Sequence, residues 1–285
     1  MKILENIVLS NPEKLNKIKN RIHADGTEKL HIIADFDRTL TYAFVDGKKI
    51  PSIISILRDE NHLTEEYSKK AQELYEKYHP IEINSDLSIE EKKKAMNEWW
   101  TEHFKLLIKF KLNKKDIEKA VMSKRLRLRD GANEFFDYLY SRDIPLIILS
   151  SSGLGEESIS IFLEKRGKLH KNIYIISNSF EWDEKGYAIG VKKPIIHVMN
   201  KDETSLKKFN FYEKIKNRKN AVLLGDSPGD VGMANGFNHD NLIKIGFLNE
   251  DIEKNLEQYK INYDIVILND SDMSYVNGLI REILG

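Results

Sequence analysis

The sequence predicts an α/β fold in which parallel strands form the core and a helical segment is inserted after the first of those strands. Three short apolar runs have the length and composition of buried strands, at residues 30–34, 144–149 and 221–224. From Asp130 onward, helical and strand-like patterns alternate, which is typical of parallel sheets. A block rich in Lys and Glu separates the first run from this alternation. We therefore expect a Rossmann-like core in residues 1–45 and 125–285, and a helical cap in residues 46–124.

The inserted block carries local signals for a turn and for a helix. Residues 45–48, Val-Asp-Gly-Lys, have the composition of a hairpin turn. A helical pattern starts at Thr64 and runs toward Tyr78. Because proline lacks a backbone N–H and clashes with the preceding turn, we expect this helix to stop before Pro80.

Capping signals and spacing predict three further helices. Ser88 and Glu91 form a capping box that opens a long helix toward Phe110. A short helix is predicted over residues 114–122. Upstream of the first strand, residues 11–22 begin with Asn-Pro and continue as an amphipathic helix.

Composition and charge restrict the classes of function. The chain has 285 residues, enough for one large or two modest domains, and its 45 basic residues balance 45 acidic ones. Balanced charge offers no basic surface for nucleic acid, and no apolar run reaches the length of a membrane span. The sequence has no cysteine and no signal-peptide core, so we expect a cytoplasmic protein without disulfides or thiolate metal sites. We also expect a monomer that binds a small molecule.

Acidic residues follow two of the predicted strands. Asp35 and Asp37 come directly after the first run, and Asp226 and Asp230 follow the run at 221–224 in a Gly-Asp-x-x-Gly-Asp segment. A single pair of this kind is more often a polar turn, but two pairs at the ends of neighbouring strands would converge on one point. Four converging carboxylates require protonation or a cation, and Mg²⁺ suits their hard oxygen atoms. The sequence therefore predicts a magnesium site in which one carboxylate oxygen could act as a nucleophile.

A run of serines follows the third predicted strand. Ser150, Ser151 and Ser152 precede Gly153, and their hydroxyls and free amides could bind phosphate oxygens where a helix begins. The same residues could instead cap that helix. A lysine would have to balance the phosphate charge, but spacing alone does not identify it among so many lysines.

Taken in order, these motifs resemble those of the haloacid dehalogenase (HAD) superfamily of phosphatases. The chain is similar over most of its length to the cytosolic pyrimidine 5′-nucleotidases, also called cytosolic 5′-nucleotidase III. The matching segments run from about residue 30 to about residue 268 and are IIADFDRTLT, KYHPIEIN, NEWWTEH, SSGLGE, ISNSFEWDEKG, IIHVMNKDE, LLGDSPGD and IKIGFLNE. The resemblance implies an α/β core of the HAD type with an inserted helical cap.

The resemblance implies a role for each of the four acidic residues. Asp35 would be the nucleophile that becomes aspartyl-phosphate, and Asp37 would be the general acid and base. Asp35 and Asp226 would bind Mg²⁺ through their side chains, and Asp37 would bind it through its backbone carbonyl. Asp230 would support the water shell of the metal or the neighbouring groups.

The resemblance also implies a set of substrate-binding residues. Ser151 and Ser152 would bind phosphate, with Ser150 as a competing assignment because the alignment slips by one residue. Lys201 would pair with both the phosphate and the nucleophile. Glu82 would recognise the nucleobase.

His103 stands where the family often has a serine near the base. It could contact the base and change base preference, or it could belong to a packed helix face. The second possibility follows from the helical spacing of Met96, Trp99, His103, Leu106 and Phe110. The neighbouring aromatic residues leave the same choice between core packing and stacking on a base, namely Trp99, Trp100 and Phe104.

The resemblance implies an Mg²⁺-dependent 5′-nucleotidase that hydrolyses CMP and UMP through an aspartyl-phosphate. Transfer of the phosphate to a nucleoside instead of water would be a second activity. A related phosphatase acting on 7-methylguanosine monophosphate or another small phosphomonoester is one alternative. A catalytically silent nucleotide-binding protein is the other, but a binder needs neither a nucleophile such as Asp35 nor an acid such as Asp37.

Overall fold

An eight-stranded sheet forms the centre of the molecule. The structure is a computed structural model that describes residues 3–4, 6–50, 52–84, 86–201, 209–235 and 237–285. In chain order, the strands are β1 (Ile3–Leu4), β2 (Ile7–Leu9), β3 (Leu30–Ala34), β4 (Phe44–Val45), β5 (Lys48–Lys49), β6 (Leu146–Leu149), β7 (Ile173–Ile176), β8 (Phe180–Trp182), β9 (Ala188–Val191), β10 (Asn220–Gly225), β11 (Asn241–Leu248) and β12 (Ile265–Leu268). The strand order in the large sheet is β1-β2-β12-β11-β10-β3-β6-β7.

Helices cover both faces of this sheet and fill the interval between β3 and β6. They are α1 (Pro12–Asp25), α2 (Ile53–Asp59), α3 (Glu65–Ile83), α4 (Ile89–Lys109), α5 (Lys114–Val121), α6 (Ala132–Ser141), α7 (Gly155–Glu164), α8 (Tyr212–Ile215), α9 (Ile252–Asn262) and α10 (Ser274–Leu284). Alternate strand residues enter two hydrophobic clusters, with Ile32 in one and Ile33 in the other. The α/β fold class predicted from the sequence is confirmed.

The register of the central strands brings the predicted motifs to one edge. β3 lies between β10 and β6, and both pairs are parallel, with Ala34 opposite Leu224 on one side and Ile148 on the other. In the strand order given above, all neighbouring strands from β12 through to β7 pair in parallel. Strand β2 runs antiparallel to both of its neighbours, β12 and β1. Parallel neighbours end at the same edge, so the residues after β3, β6 and β10 meet there.

Several local predictions for the inserted block are confirmed. Phe44–Val45 and Lys48–Lys49 form the expected hairpin, and its turn residues Asp46 and Gly47 both have positive φ, 50° and 72°. The Thr64 hydroxyl accepts from the Tyr67 amide at the start of α3.

The helix predicted to stop before Pro80 does not stop there. Helix α3 continues through Pro80 and ends at Ile83. Pro80 therefore lies in the last turn, where its missing N–H costs one bond to the residue 76 carbonyl and only three helical residues follow. As a result, Glu82 belongs to a helix and not to a loop.

The other predicted helices are present, but some elements were not predicted. Both halves of the Ser88–Glu91 capping box are formed, and α5 covers all but the last residue of the predicted 114–122 helix. Asn11 caps α1 as expected. Helix α2 and the β8–β9 hairpin have no counterpart in the sequence analysis.

The chain leaves for the inserted helices and returns from them along one two-stranded stem. Thr41 and Leu128 form an isolated antiparallel bridge. On either side of it, the Tyr42 amide donates to the Arg127 carbonyl and the Arg129 amide donates to the Leu40 carbonyl, each at 3.0 Å. The outgoing and returning segments are therefore hydrogen-bonded neighbours at the edge of the core.

Among the described residues, no helix has the length and apolar character needed to cross a lipid bilayer.

Candidate active site

Lys201 joins two of the predicted acidic residues. Its ammonium donates to Asp35 Oδ1 and, at 3.0 Å, to Asp230 Oδ1, and all three side chains are buried. Burial alone would lower the pKa of Lys201, but the charges of Asp230 and Asp35 raise that pKa above its usual value. Lys201 is therefore a permanent cation at the carboxyl edge of the sheet.

Three carboxylates gather beside this lysine. One oxygen each from Asp35, Asp226 and Asp230 lies within 4.8 Å of the others. Burial raises the pKa of Asp226 to about 6, and burial together with the charges of Asp230 and Asp226 raises the pKa of Asp35. Crowded carboxylates of this kind need more positive charge than Lys201 supplies, and hard oxygen donors fit a divalent cation.

Asp37 contacts the inserted helices. Its Oδ1 accepts from the Ile53 amide at 3.2 Å, at the first residue of α2. Burial raises the pKa of Asp37 to about 7. Asp37 thus links the end of β3 to a helix of the inserted segment, and it can carry a proton near neutral pH.

Asp230 organises the loop that follows β10. Its Oδ2 accepts hydrogen bonds from the Asp226 amide, the Ser227 amide and the Ser227 hydroxyl, at 3.0–3.1 Å. Its other oxygen binds Lys201. Asp230 therefore holds the lysine and the backbone that carries Asp226.

Arg38 is a site residue that the sequence analysis missed. It lies inside the Asp-x-Asp-x-Thr motif with a positive φ of 61°, and its Nε lies 3.4 Å from Asp226 Oδ2. Its Nη2 lies 2.7 Å from Glu250 Oε1, which also pairs with Lys49 at 2.7 Å. The position of Arg38 directly after Asp37 in the motif was the signal that could have identified it.

Arg129 is a second residue that the sequence did not identify, and it binds the backbone of the Asp-x-Asp-x-Thr loop. Its buried guanidinium donates to the carbonyls of Arg38 and Thr39 at 2.6 and 2.8 Å and pairs with Asp270 at 2.9 Å. Asp270 in turn accepts hydrogen bonds from the amides of residues 43 and 44. Nothing in the local sequence distinguishes Arg129 from a surface arginine.

The three serines after β6 all line the same cavity, but their surroundings differ. The Ser152 hydroxyl lies 3.1 Å from the Ser158 hydroxyl and accepts from the Leu154 amide at 3.2 Å. The Ser150 side chain is buried and its amide continues the sheet by donating to Ile176. Ser151 is only half-buried. The phosphate-binding role of Ser151 and Ser152 stays a prediction.

The cavity runs from the carboxylates to an aromatic wall built by α3 and α4. Its volume is about 530 Å³, and Asp35, Lys201 and Asp226 line one end. The aromatic end is lined by Tyr75, His79, Trp99, Trp100 and His103. Tyr75 stacks on His79 at 4.7 Å between ring centroids, and Trp99 stacks on Trp100 at 6.0 Å.

Glu82 also lines the cavity from the last turn of α3. Its Oε2 lies 3.1 Å from His79 Nδ1, three residues earlier on the helix. The half-buried carboxylate therefore stands beside the aromatic rings of the cavity wall.

The sequence left open whether His103 belongs to a packed helix face or to the substrate cavity, and the structure places it in both. It is buried on α4 and packs edge-on against Trp100 and Phe104, at 5.4 and 5.6 Å between centroids. It also lines the cavity, and its Nε2 lies 3.0 Å from where a Cβ on Gly153 would be. Burial lowers the pKa of His103 to about 4, so the imidazole is neutral at physiological pH.

The family model and the curated relatives that match this chain are both described as 5′-nucleotidases. The family model described as pyrimidine 5′-nucleotidase (UMPH-1) matches residues 38–284. The chain is 37% identical over 278 residues to the 7-methylguanosine phosphate-specific 5′-nucleotidase A of Xenopus laevis, which covers 97% of this chain and 95% of that relative.

Solved structures show the same relation. The crystal structure of cytosolic 5′-nucleotidase IIIB bound to cytidine matches with a TM-score of 0.86 and 30% identity, covering 98% of this chain and 94% of the other. A HAD family hydrolase from Salmonella enterica matches with a TM-score of 0.57 at 14% identity, covering 95% of this chain and 80% of that one, which indicates a shared fold alone.

Proposed function

The chain belongs to the pyrimidine 5′-nucleotidase (UMPH-1) family and is a hydrolytic 5′-nucleotidase of the HAD superfamily, and on that premise we propose that it hydrolyses CMP and, less well, UMP with the help of Mg²⁺. One observation carries the proposal. A single cavity has Lys201 and three carboxylates at one end, and stacked aromatic rings with Glu82 at the other. A nucleoside monophosphate has the same division between a charged phosphate and a flat base.

We assign the chemical steps to the residues at the charged end. Asp35 attacks phosphorus, forming a bond from its carboxylate oxygen while the bond to the nucleoside 5′-oxygen breaks. Asp37 donates a proton to that departing oxygen, and its raised pKa of about 7 keeps a protonated fraction available. Asp37 then takes a proton from the water that hydrolyses the aspartyl-phosphate, which returns both residues to their starting states.

The charges of Lys201 and Arg38 reduce the repulsion between Asp35 and the dianionic phosphate. Asp35 and Asp226, with the Asp37 backbone carbonyl, would hold the Mg²⁺, which supplies further positive charge for the phosphate. The gathering of three carboxylate oxygens within 4.8 Å supports this assignment. We propose Ser151 as the phosphate-binding hydroxyl, because the Ser152 hydroxyl already has two protein partners.

The base end of the cavity supports a preference for cytosine over uracil. The Glu82 carboxylate can accept a hydrogen bond from the exocyclic amine of cytosine, whereas uracil offers only a ring N–H. Residues 46–124 would act as the cap, since α3 and α4 supply this end and α2 reaches Asp37. Closure of such a cap would exclude water during the first step.

The second candidate substrate is 7-methylguanosine monophosphate, favoured by the aromatic wall. A methylated guanine ring carries positive charge, which both aromatic faces and a carboxylate attract. The Xenopus relative is named for this substrate, and the IIIB structure was solved with cytidine. We propose that this chain uses both substrates, as a monomer in the cytosol.

A phosphate-release screen tests the proposal. CMP, UMP, 7-methylguanosine monophosphate, AMP, GMP and a sugar phosphate would be compared with Mg²⁺ and with excess chelator. We expect CMP and 7-methylguanosine monophosphate to be hydrolysed fastest and only when Mg²⁺ is present. Equal rates for all six esters would contradict the base selection, and full activity in chelator would contradict the metal.

A further inference from the structure

The peptide units around Asp226 are held from two opposite directions. On one side, the amides of Asp226 and Ser227 donate to the same Asp230 oxygen. On the other side, the carbonyls of the same two residues accept hydrogen bonds from tyrosine hydroxyls. Tyr259 donates to the Asp226 carbonyl, and Tyr263 donates to the Ser227 carbonyl.

Tyr259 projects from the last turns of α9, and Tyr263 is the extended residue that directly follows this helix. Their ring centroids are 5.6 Å apart, and both side chains are buried, with 7% and 2% of Tyr259 and Tyr263 exposed. The end of α9 and the residue after it therefore present two hydroxyls to two consecutive carbonyls. Neither tyrosine lines the cavity wall as described above, so direct contact with substrate is not their role.

The sheet provides a slot for the Tyr263 ring. Gly225 on β10 and Gly246 on β11 are register partners, so the two residues without side chains lie next to each other. A Cβ on Gly246 would lie 2.5 Å from the Tyr263 ring, and a Cβ on Gly225 would lie 2.9 Å from its hydroxyl oxygen. Only glycines at these two positions let the ring reach the loop that carries Asp226.

We propose that Tyr259 and Tyr263 are positioning residues that orient Asp226 for metal binding. Fixing the carbonyls of Asp226 and Ser227 fixes the backbone from which the Asp226 carboxylate projects, while Asp230 holds the amides. Groups one shell away from a metal commonly control its affinity by holding its ligands. The proposal rests on the role of Asp226 as a metal ligand in the proposed function.

The test is a titration of Mg²⁺ into the protein without nucleotide, followed by calorimetry. Tyr259→Phe and Tyr263→Phe remove only the hydroxyls, and the double variant removes both. We expect each single variant to bind Mg²⁺ about tenfold more weakly than the wild type. Tyr275→Phe, which removes a hydroxyl from a half-buried tyrosine on α10, should bind Mg²⁺ like the wild type.

Kinetics separate a positioning role from a general loss of stability. In the tyrosine variants, the Mg²⁺ concentration for half-maximal activity should rise, while KM for CMP at saturating Mg²⁺ should stay unchanged. Mg²⁺ affinity within twofold of the wild type in both single variants would overturn the proposal, whatever their melting temperatures. A wild-type protein that binds Mg²⁺ but hydrolyses no nucleotide would refute the proposed function and leave the titration to decide this inference.

Discussion

The two ends of the cavity are built in different ways. At the charged end, Asp35, Lys201 and Asp230 follow strands or loops of the sheet edge and are joined by direct hydrogen bonds. At the aromatic end, Glu82 and Trp99 project from long helices, and ring stacking dominates the contacts. The first end is fixed by directional bonds between charged groups, and the second is fixed by packing.

The proposed function assigns the chemical steps to the charged end and the choice of substrate to the aromatic end. A charged network loses its function when one member changes, because the remaining charges are left buried and unpaired. An aromatic wall tolerates exchange of rings, since stacking depends on area and shape more than on direction. We therefore expect variants at the charged end to lose all activity and variants at the aromatic end to change the choice of substrate.

The largest effect should come from Asp35→Asn. An amide neither attacks phosphorus nor balances Lys201, so kcat should fall by about 10⁴-fold or more on every phosphate ester. Phosphate release and thermal unfolding would be measured together. Asp240→Asn, the same substitution at an exposed position, is the control. Turnover within tenfold of the wild type would contradict the nucleophilic role.

Asp37→Asn should have the next largest effect, and that effect should depend on the leaving group. Loss of the acid should slow CMP hydrolysis by about 10²- to 10⁴-fold. An activated aryl phosphate should suffer much less, because its leaving oxygen needs little protonation. In the wild type, kcat/KM for CMP should decline as pH rises through about 7, where Asp37 loses its proton. Equal losses on both esters would remove Asp37 from the acid role.

Glu82→Gln should change selection without stopping the chemistry. Removing the charge should lower kcat/KM for CMP by about 10- to 100-fold, the usual range for a hydrogen bond to a charged group. An aryl phosphate too small to reach α3 should be hydrolysed at the wild-type rate. Glu73→Gln, an exposed change on the same helix, is the matched control. A uniform slowing of all esters by Glu82→Gln would show that the residue does not select the base.

His103→Ser should have the smallest effect on turnover and a measurable effect on stability. Loss of the buried ring should lower the free energy of unfolding by about 1–3 kcal/mol. Its position in the cavity wall should also shift the ratio of CMP to 7-methylguanosine monophosphate hydrolysis. An unchanged ratio would assign His103 to packing alone.

The pH dependence of stability provides a second measurement on His103. Its folded pKa of about 4 lies below the usual 6.5, so the unfolded chain takes up a proton between these values while the native chain does not. The contribution of His103 to stability should therefore fall as pH drops from 6.5 to 4, by about 1.4 kcal/mol per pH unit, whereas the raised pKa values of Asp37 and Asp226 act in the opposite direction. The contribution is measured as a difference: between pH 6.5 and pH 4, the wild type should lose stability relative to His103→Ser.

The charged end was largely predictable from sequence, because its parts follow short apolar runs. Asp35 and Asp226 converge because each follows a parallel strand and parallel strands end at one edge of the sheet. The runs of strand-forming residues before them already indicated those strands. The position of Glu82 was less accessible, because the rule that proline stops a helix fails in the last turn of α3. The fold class followed from the alternation of patterns, but the antiparallel edge of β1 and β2 did not.

Residues that act only through tertiary contacts left no local signal. Arg129 contacts the carbonyls of Arg38 and Thr39 from about ninety positions away in sequence. Tyr259 lies in α9 and Tyr263 directly follows it, and only the register of Gly225 with Gly246 explains why the Tyr263 ring can lie there. Such roles become visible only in the folded structure, because the sequence of neither contacting segment indicates the contact by itself.

The stem at Thr41 and Leu128 holds the two ends of the inserted helical segment side by side. Its two ends are adjacent, so a different segment with closely spaced ends could be grafted there without distorting the sheet. Such a graft would replace Glu82 and the aromatic wall as a unit and leave Asp35 and Asp226 where they are. A lineage built in this way could acquire a new nucleoside preference through one recombination event while inheriting its phosphate chemistry unchanged.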